Sequence, residues 1–300
     1  MANSQEHPKR SLMGFDFTPT IHNDTYPFID PRSQNMSGIS VLVTGASRGI
    51  GRATCLSYAR AGVSNIAVGA RSSLDSLVED INAAAKEAGK PEPKVLPLTL
   101  DITDESSVEA ARASVEKEFG RLDILYNNGG YLEPFLPVTE SRTDEWWYTM
   151  TVNIKGPYLV TKAFIPLLLR TSNGLKTVLN AASVGLHTVR AGGSGYQGSK
   201  LWVMRFGEYL MKEYGDQGLL AFCIHPGSVM TELASGMPKE MHHVLVDTPE
   251  LSGDSIMWLT KERREWLNGR YASVEWDMAE LEGMQKEIVE RDLLKMRMTV

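Results

Sequence analysis

Short apolar segments alternate with longer amphipathic segments along most of the chain. Turn-forming residues bound the apolar segments, which lie at 40–44, 65–69, 94–98, 124–127, 177–181 and 219–224. Nearly continuous apolar segments of this length are typical of parallel strands that are buried on both faces of a sheet. A further strand is predicted over 270–274.

The amphipathic segments between the strands have the period of helices. They span 49–61, 74–88, 105–119, 143–169 and 198–214. Strands that alternate with helices form βαβ units, and repeated units give a doubly wound sheet with helices on both faces. The sequence therefore predicts a single α/β domain whose central parallel sheet has about seven strands.

The two ends of the chain have a different character. Residues 1–37 are rich in Pro, Asn, Asp and Ser with scattered aromatic residues, and they predict an extended arm that packs on a domain formed by 38–300. Residues 228–260 carry several glycines and prolines without a clean period, which favours a mobile flap. Residues 275–297 have the pattern of a surface helix.

A glycine-rich segment joins the first predicted strand to the first predicted helix. It has the sequence Thr44-Gly45-Ala46-Ser47-Arg48-Gly49-Ile50-Gly51. In such a segment, successive glycines permit a tight turn, let the backbone approach a phosphate and let the helix pack closely on the strand. The helix N-terminus then presents free N–H groups to a pyrophosphate. This context predicts a Rossmann-type dinucleotide site.

The end of the second predicted strand favours NADP(H) over NAD(H). An acidic residue at this position would bind a ribose 2′-hydroxyl and repel a 2′-phosphate. The chain instead has Arg71 and Ser72 there, and Arg48 lies in the glycine-rich segment. Because arginine pairs well with phosphate, the predicted cofactor is NADP(H). The alternative is that both arginines are solvated surface charges.

Further motifs follow in an order that resembles the short-chain dehydrogenase/reductase family over residues 39–231. They are Leu100-Asp101-Ile102, Asn127-Asn128-Gly129-Gly130, the set Asn153, Ser183, Tyr196 and Lys200, and Pro226-Gly227-Ser228-Val229 with Thr231. The N-terminal arm and the segments 269–271 and 275–277 also resemble a fungal branch of the family, whose members often serve natural-product pathways. The resemblance implies an NADP-dependent oxidoreductase that acts on a small carbonyl or alcohol substrate.

The same resemblance implies which residues bind the cofactor. They are Thr44, Gly45, Ser47, Arg48, Gly49, Ile50, Gly51, Arg71, Ser72, Asp101, Ile102, Asn128, Gly129, Gly130, Tyr196, Lys200, Pro226, Gly227, Val229 and Thr231. No cluster of His and Cys has zinc-like spacing, so no metal is expected.

The implied catalytic residues are Asn153, Ser183, Tyr196 and Lys200. Tyr196 and Lys200 share one face of a helix, and a nearby ammonium lowers the pKa of a phenol, which is about 10 in free tyrosine. Lys200 would also bind the nicotinamide ribose, Ser183 would hold the substrate oxygen, and Asn153 would support a water that links Lys200 to solvent. Each residue alone also has an ordinary structural interpretation.

The substrate side is less sharply defined. Residues 184–195 should lie beside the nicotinamide, with His187 and Arg190 either touching the substrate or lying at the pocket mouth. At most one of Trp146 and Trp147 is expected in the core, because adjacent helical residues face different ways. An apolar wall suited to a hydrophobic ring-bearing ketone is predicted from Tyr131, Leu132, Met230, Met237 and Met241.

The composition narrows the class of partner. The formal net charge is −6 and no block of basic residues is present, so nucleic-acid binding has no electrostatic support. The polar N-terminus lacks the apolar segment of a secretory signal, and no apolar stretch is long enough to span a membrane. We expect a cytoplasmic protein, and by resemblance a homodimer or homotetramer.

Two other functions stay open at this point. One is an isomerase, dehydratase or cyclisation catalyst on the same fold, with no net redox change. The other is a non-catalytic NADP(H)-binding sensor, which the complete set of Asn, Ser, Tyr and Lys residues disfavours because a sensor needs no tuned phenol.

Overall fold

All seven strands of the computed structural model, which describes residues 13–298, lie in one parallel sheet. They are β1 Ser40–Thr44, β2 Asn65–Ala70, β3 Lys94–Thr99, β4 Ile124–Asn127, β5 Thr177–Ala181, β6 Leu220–His225 and β7 Tyr271–Ser273. Their order is β3-β2-β1-β4-β5-β6-β7, so the strand order reverses between β1 and β4. Ligands of open α/β sheets bind at such a reversal. The predicted doubly wound fold is confirmed.

Helices cover both faces of this sheet. Their bounds are α1 Gly49–Arg60, α2 Asp75–Glu87, α3 Glu105–Phe119, α4 Thr143–Met150, α5 Gly156–Arg170, α6 Ser194–Tyr214, α7 Pro249–Thr260, α8 Met278–Gly283 and α9 Gln285–Glu290. Val41 and Val43 pack in a core with α1, α2 and α7, whereas Leu42 packs with α3 and α5. Burial on both faces explains the continuous apolar strands. No helix of the described part is long and apolar enough to cross a membrane.

Two helices differ in detail from the predicted ones. The predicted helix over 143–169 is continuous, but a π-helical turn, Thr151–Lys155, separates α4 from α5. Asn153 lies in this turn, and such turns are frequent at functional sites. Helix α6 begins at Ser194, four residues before the predicted start at 198. The prediction started too late because Gly195 and Gly198 weaken the helical pattern of the sequence there.

The second half of the predicted flap is not a flap. Within 228–260, the segment Pro249–Thr260 forms α7, whose residues from Leu251 onward are all buried. The helix lies so close to α1 that a Cβ added at Gly253 would come within 2.7 Å of the Ala53 carbonyl oxygen. A helix buried on every side has no polar face, so the period that marks a surface helix is absent.

The predicted surface helix over 275–297 is also wrong. Its residues form two short helices, α8 and α9, that are separated at Met284. Trp276, Met278, Leu281 and Ile288 are buried, because this segment packs against the body and the N-terminal arm.

The described part of the N-terminal arm packs on the C-terminal segment. The Phe17 ring lies 4.9 Å from the Trp276 ring, and the Trp276 indole N–H donates to the Gly14 carbonyl at 2.8 Å. Ile29, in a short 3-10 helix, is fully buried. Residues 1–12 of the predicted arm lie outside the described residues.

Candidate active site

A cleft lies at the carboxyl ends of the central strands, where the strand order reverses. It is lined by the predicted residues Gly45, Ser47, Arg48, Gly49, Ile50, Arg71, Ser72, Asp101, Ile102, Asn128, Gly129, Gly130, Tyr196, Lys200, Pro226 and Thr231. Its wall also contains Ala70, Leu100, Thr103, Val152, Ala181, Ala182, Glu232 and Leu233. The remaining predicted residues, Thr44, Gly51, Asn153, Ser183, Gly227 and Val229, are outside this lining and support or flank it.

The glycine-rich segment is held against the loop that follows β4. The Thr44 hydroxyl oxygen accepts from the backbone N–H groups of Asn128 and Gly129, at 3.0 and 3.1 Å. Gly45 has a positive φ of 63°, and a Cβ there would lie 2.9 Å from the Gly129 Cα. A Cβ at Gly51 would lie 2.4 Å from the Gly45 carbonyl oxygen. Only glycine therefore permits this tight turn and this close helix, as predicted for both positions.

Three of the four predicted catalytic residues meet at one end of the cleft. Helix α6 carries both Tyr196 and Lys200, and the Lys200 Nζ lies 5.5 Å from the centroid of the Tyr196 ring. The same Nζ donates to the Ala181 carbonyl at 2.7 Å. Ser183 follows β5, and its hydroxyl accepts from the Gly185 N–H at 3.0 Å and is hydrogen-bonded to the Tyr196 hydroxyl.

Asn153, the fourth predicted catalytic residue, contacts the loop after β4 and helix α6. Its Oδ1 accepts from the Tyr131 N–H at 2.8 Å, and its Nδ2 donates to the Tyr131 carbonyl at 2.8 Å and to the Ser199 hydroxyl at 3.0 Å. The Asn153 side chain therefore ties the loop after β4 to α6. The predicted water link from this residue to Lys200 stays a prediction.

A family model described as short chain dehydrogenase matches residues 40–242. The chain belongs to the short-chain dehydrogenase family. The short chain dehydrogenase mpl6 of Monascus purpureus is 50% identical over 287 residues, which cover 96% of this chain and 98% of that protein. The short chain dehydrogenase pigC of Monascus ruber is 46% identical over 286 residues, which cover 94% of each chain. These fungal relatives confirm the predicted resemblance.

Solved structures of the family share the fold at low sequence identity. A 7α-hydroxysteroid dehydrogenase, in complex with NADH and 7-oxo glycochenodeoxycholic acid, superposes with a TM-score of 0.70 at 18% identity. The match covers 84% of this dehydrogenase and 97% of the steroid enzyme. At this identity the likeness concerns the architecture alone.

The two arginines of this dehydrogenase that were expected to face a 2′-phosphate both lie on the cleft wall. Arg71 follows β2, and its Nη1 donates to the Tyr148 hydroxyl at 2.9 Å. Arg48 pairs with Glu232 at 3.1 Å, and both of these side chains are about two-thirds exposed. Arg71 thus has a half-buried partner, Tyr148, and Arg48 has an exposed one, Glu232.

The segment after β3 is fixed by local contacts. The Asp101 carboxylate accepts from the N–H and the hydroxyl of Thr103, at 2.9 and 2.7 Å. Burial opposes ionisation of Asp101, but these hydrogen bonds outweigh it and lower the pKa of the carboxyl. Ile102 packs so closely on Gly156 that a Cβ there would lie 2.7 Å from the Ile102 Cδ1. Both residues lie on the cleft wall.

The segment after β6 is held by a hydrogen bond to the carboxylate of Asp247, which lies in the predicted flap. The Ser228 N–H donates to Asp247 at 2.5 Å, and the Asn23 side chain of the N-terminal arm donates to the same carboxylate at 2.7 Å. Gly227 has a positive φ of 95°, and Val229 is buried and forms a β-bridge with Asp247. Gly227 and Val229 thus anchor this segment, while Pro226 and Thr231 reach the cleft.

Burial dominates the electrostatics of the catalytic group. It raises the pKa of Tyr196 to about 12, although the hydrogen bond with Ser183 acts in the opposite direction. It lowers the pKa of Lys200 to about 8. The expected lowering of the Tyr196 pKa by Lys200 is therefore not found in the protein alone, because desolvation of the phenolate outweighs it. At neutral pH the phenol is protonated and can donate a proton.

The residues that were expected near the substrate differ in how far they are buried. The His187 ring packs edge-on against Tyr271 with centroids 4.7 Å apart, and burial lowers the pKa of His187 to about 4. Arg190 is exposed. Trp146 is half-buried and donates its indole N–H to the Ser194 hydroxyl at 3.1 Å, whereas Trp147 is 60% exposed. Neither tryptophan is therefore fully buried in the core.

Sequence reasoning missed one buried acid beside the catalytic group. Glu133 lies in the loop after β4 and is only 4% exposed. One of its carboxylate oxygens accepts from the backbone N–H of Tyr196 at 2.8 Å. The sequence around it, Tyr131-Leu132-Glu133-Pro134-Phe135, offers only an isolated charge among apolar residues as a signal.

Proposed function

We propose that this dehydrogenase uses NADP(H) to interconvert a ketone and a secondary alcohol, with Tyr196 as the general acid and base. The observation that carries the proposal is the convergence of Ser183, Tyr196 and Lys200 at one end of a glycine-lined cleft. The cleft suits a dinucleotide, because its tight turn would be filled by any side chain at Gly45 or Gly51.

When bound, the nicotinamide supplies or accepts the hydride. In the reductive direction, the hydroxyls of Ser183 and Tyr196 hydrogen-bond the substrate carbonyl oxygen, and Tyr196 donates its proton to that oxygen. The Lys200 ammonium stabilises the charge left on the phenolate and would hold the nicotinamide ribose. In the oxidative direction, the phenolate removes the proton of the alcohol.

The preference for NADP(H) is supported by the charges at the end of β2. Arg71 and Ser72 stand on the cleft wall where a carboxylate would select NAD(H), and Arg48 lies across the glycine-rich segment. The glycine-rich segment would hold the phosphates through backbone N–H groups at the start of α1.

Replacing Arg71 with Gln is expected to weaken NADPH binding by about 10- to 100-fold and NADH binding by less than about twofold. The reason is the loss of charge-assisted hydrogen bonds to the 2′-phosphate, which NADH lacks. Fluorescence titration of each nucleotide measures the two dissociation constants. Tyr148→Phe, which removes the partner of Arg71 but keeps the guanidinium, is the matched control and should not weaken NADPH binding. Equal weakening for both nucleotides would contradict the proposal.

The proposed substrate is a hydrophobic, natural-product-like ketone. Leu233 on the cleft wall supports an apolar site, and Leu132 lies 3.9 Å from a Cβ placed on Gly236 of the flap. The relatives that share 46 to 50% of the sequence of this dehydrogenase are fungal proteins, and the fungal branch that the sequence resembles often serves natural-product pathways. Loss of NADPH absorbance at 340 nm with such ketones tests the redox function. Conversion of substrate without that loss would favour an isomerase, dehydratase or cyclisation catalyst.

We also propose a cytoplasmic homodimer or homotetramer. Apolar side chains are exposed on the outer faces of α5 and α6, where Tyr158 is 45%, Leu201 41% and Tyr209 58% exposed. Exposed apolar patches of this kind favour association of subunits. Light scattering on the purified protein tests this, and a monomer at micromolar concentration would refute it.

A further inference from the structure

A buried carboxylate lies at the N-terminal end of the helix that carries Tyr196. Glu133 reaches this position from the loop after β4 and is 4% exposed. One carboxylate oxygen accepts from the Tyr196 N–H at 2.8 Å, and the other accepts from the Thr149 hydroxyl of α4 at 2.7 Å. Both oxygens thus meet donors, which is the pattern that an ionised carboxylate makes.

The N-terminus of α6 depends on this contact. Its cap residue, Gly193, has no side chain that could accept a hydrogen bond, and the first N–H groups of a helix have no partner within the helix. Glu133 therefore satisfies the Tyr196 N–H from another segment of the chain. Its negative charge also lies at the positive end of the helix dipole.

The fit between the carboxylate and the helix is tight. A Cβ added at Gly195 would lie 2.4 Å from the nearer Glu133 oxygen, so the carboxylate occupies the space of a side chain at that position. The backbone of residues 195 and 196 is consequently held in one place relative to the loop after β4. That loop also carries Tyr131, which Asn153 fixes through both of its backbone groups.

We propose that Glu133 is a positioning residue, which anchors the backbone of Tyr196 and places a carboxylate at the start of the helix that carries the phenol. The inference rests on the proposed role of Tyr196 as the proton donor. It goes further, because it assigns the placement of the phenol to a carboxylate that touches no reacting atom.

Charged groups from three elements act on this phenol and its neighbour. Burial raises the pKa of Tyr196 most, the hydrogen bond from Ser183 lowers it, and repulsion by Glu133 raises it further. Lys200 faces the same ring from within α6. On the loop itself, the pKa of Tyr131 is raised by burial, by Glu145 of α4 and by Glu133, and Arg142 opposes this.

Replacing Glu133 with Gln removes the negative charge of the side chain but keeps its hydrogen bonds to the Tyr196 N–H and to Thr149. The Gln carbonyl can still accept from the Tyr196 N–H, and its amide can donate to the Thr149 hydroxyl. We expect the pKa of Tyr196 to fall by about 0.5 to 1 unit, because only the repulsion of the phenolate is removed. The measurement is an NMR titration of protein labelled with ¹³Cζ-tyrosine in the presence of NADP⁺. The Tyr196 resonance is the one that Tyr196→Phe removes.

Glu145→Gln is the matched control for this titration. It removes a neighbouring carboxylate that acts on Tyr131 and is not among the groups acting on Tyr196, so the Tyr196 midpoint should not move. The inference is overturned by a Tyr196 midpoint in Glu133→Gln that is unchanged from or higher than that of the wild type, or by an equal shift in Glu145→Gln.

Replacing Glu133 with Ala tests the anchor. We expect kcat at the optimal pH to fall at least about tenfold, since the N-terminus of α6 loses its partner, and Gln to recover most of this loss. The alkaline decline of the reductive kcat should move to lower pH in Glu133→Gln, following the NMR midpoint. Equal kcat values for the Ala and Gln variants would refute the anchoring role.

These outcomes are distinct from failure of the proposed function. If Tyr196→Phe retained turnover, the proposed role of the phenol would be wrong whatever Glu133 does. If Tyr196→Phe were inactive and the NMR midpoint stayed fixed in Glu133→Gln, only the role of Glu133 would be wrong. The titration itself needs no substrate.

Discussion

Replacing Tyr196 with Phe is expected to lower kcat for ketone reduction by at least about 1000-fold, because a positioned general acid contributes about 10²- to 10⁴-fold. The substitution removes a single hydroxyl and leaves the ring packed against Lys200. NADPH binding should therefore change by less than about twofold. Steady-state kinetics and fluorescence titration with NADPH measure the two effects.

The matched control is Tyr209→Phe on the same helix. Tyr209 is 58% exposed, so loss of its hydroxyl should leave both kcat and NADPH binding unchanged. A Tyr196→Phe protein that turns over at nearly the wild-type rate would show that another group donates the proton. A Tyr196→Phe protein that no longer binds NADPH would show that the substitution had damaged the cleft instead.

Replacing Gly51 with Ala is expected to weaken NADPH binding by at least about 100-fold and to lower the free energy of unfolding by about 1 to 3 kcal/mol or more. The new Cβ would lie 2.4 Å from the Gly45 carbonyl oxygen and 2.6 Å from the Asn128 Nδ2. The first contact is with the backbone, and the Asn128 side chain is held by hydrogen bonds to the Thr44 and Gly45 carbonyls, so α1 must move away from the turn that it supports. Nucleotide titration and denaturant unfolding measure the two losses.

Gly198→Ala provides the same chemical change without the collision. No atom lies within 4 Å of a Cβ at Gly198, and the residue is inside α6. Alanine there should leave NADPH binding unchanged and raise stability by up to about 1 kcal/mol, because glycine weakens helices. If Gly51→Ala bound NADPH as tightly as Gly198→Ala, the glycine-rich turn would not be the nucleotide site.

The sheet and the approach of Lys200 to Tyr196 were predictable because their signals are local. Six strands appear as short apolar segments, and the glycine-rich turn lies next to β1 in the sequence. Tyr196 and Lys200 are one helical turn apart, so their common face follows from the period of a helix. Ser183 required the family resemblance, because its approach to Tyr196 depends on the pairing of β5 with its neighbours.

The parts that sequence reasoning missed depend on contacts between distant segments. Helix α7 has no polar face because α1 and the sheet bury it, and a period-based prediction needs such a face. Glu133 contacts Tyr196 across 63 positions of the chain, and no local pattern announces that contact. The raised pKa of Tyr196 likewise reflects burial, which the spacing of Tyr196 and Lys200 does not reveal.

The contact between Asn23 and Asp247 joins the arm to the segment after β6, because Asp247 also accepts from the Ser228 N–H. Proteolysis near Asn23, an exposed position, would therefore loosen the segment beside the proposed nicotinamide site while the sheet remained intact. A preparation clipped at this end would keep its circular dichroism spectrum and lose specific activity. Expression with an intact N-terminus is thus a condition for measuring true turnover.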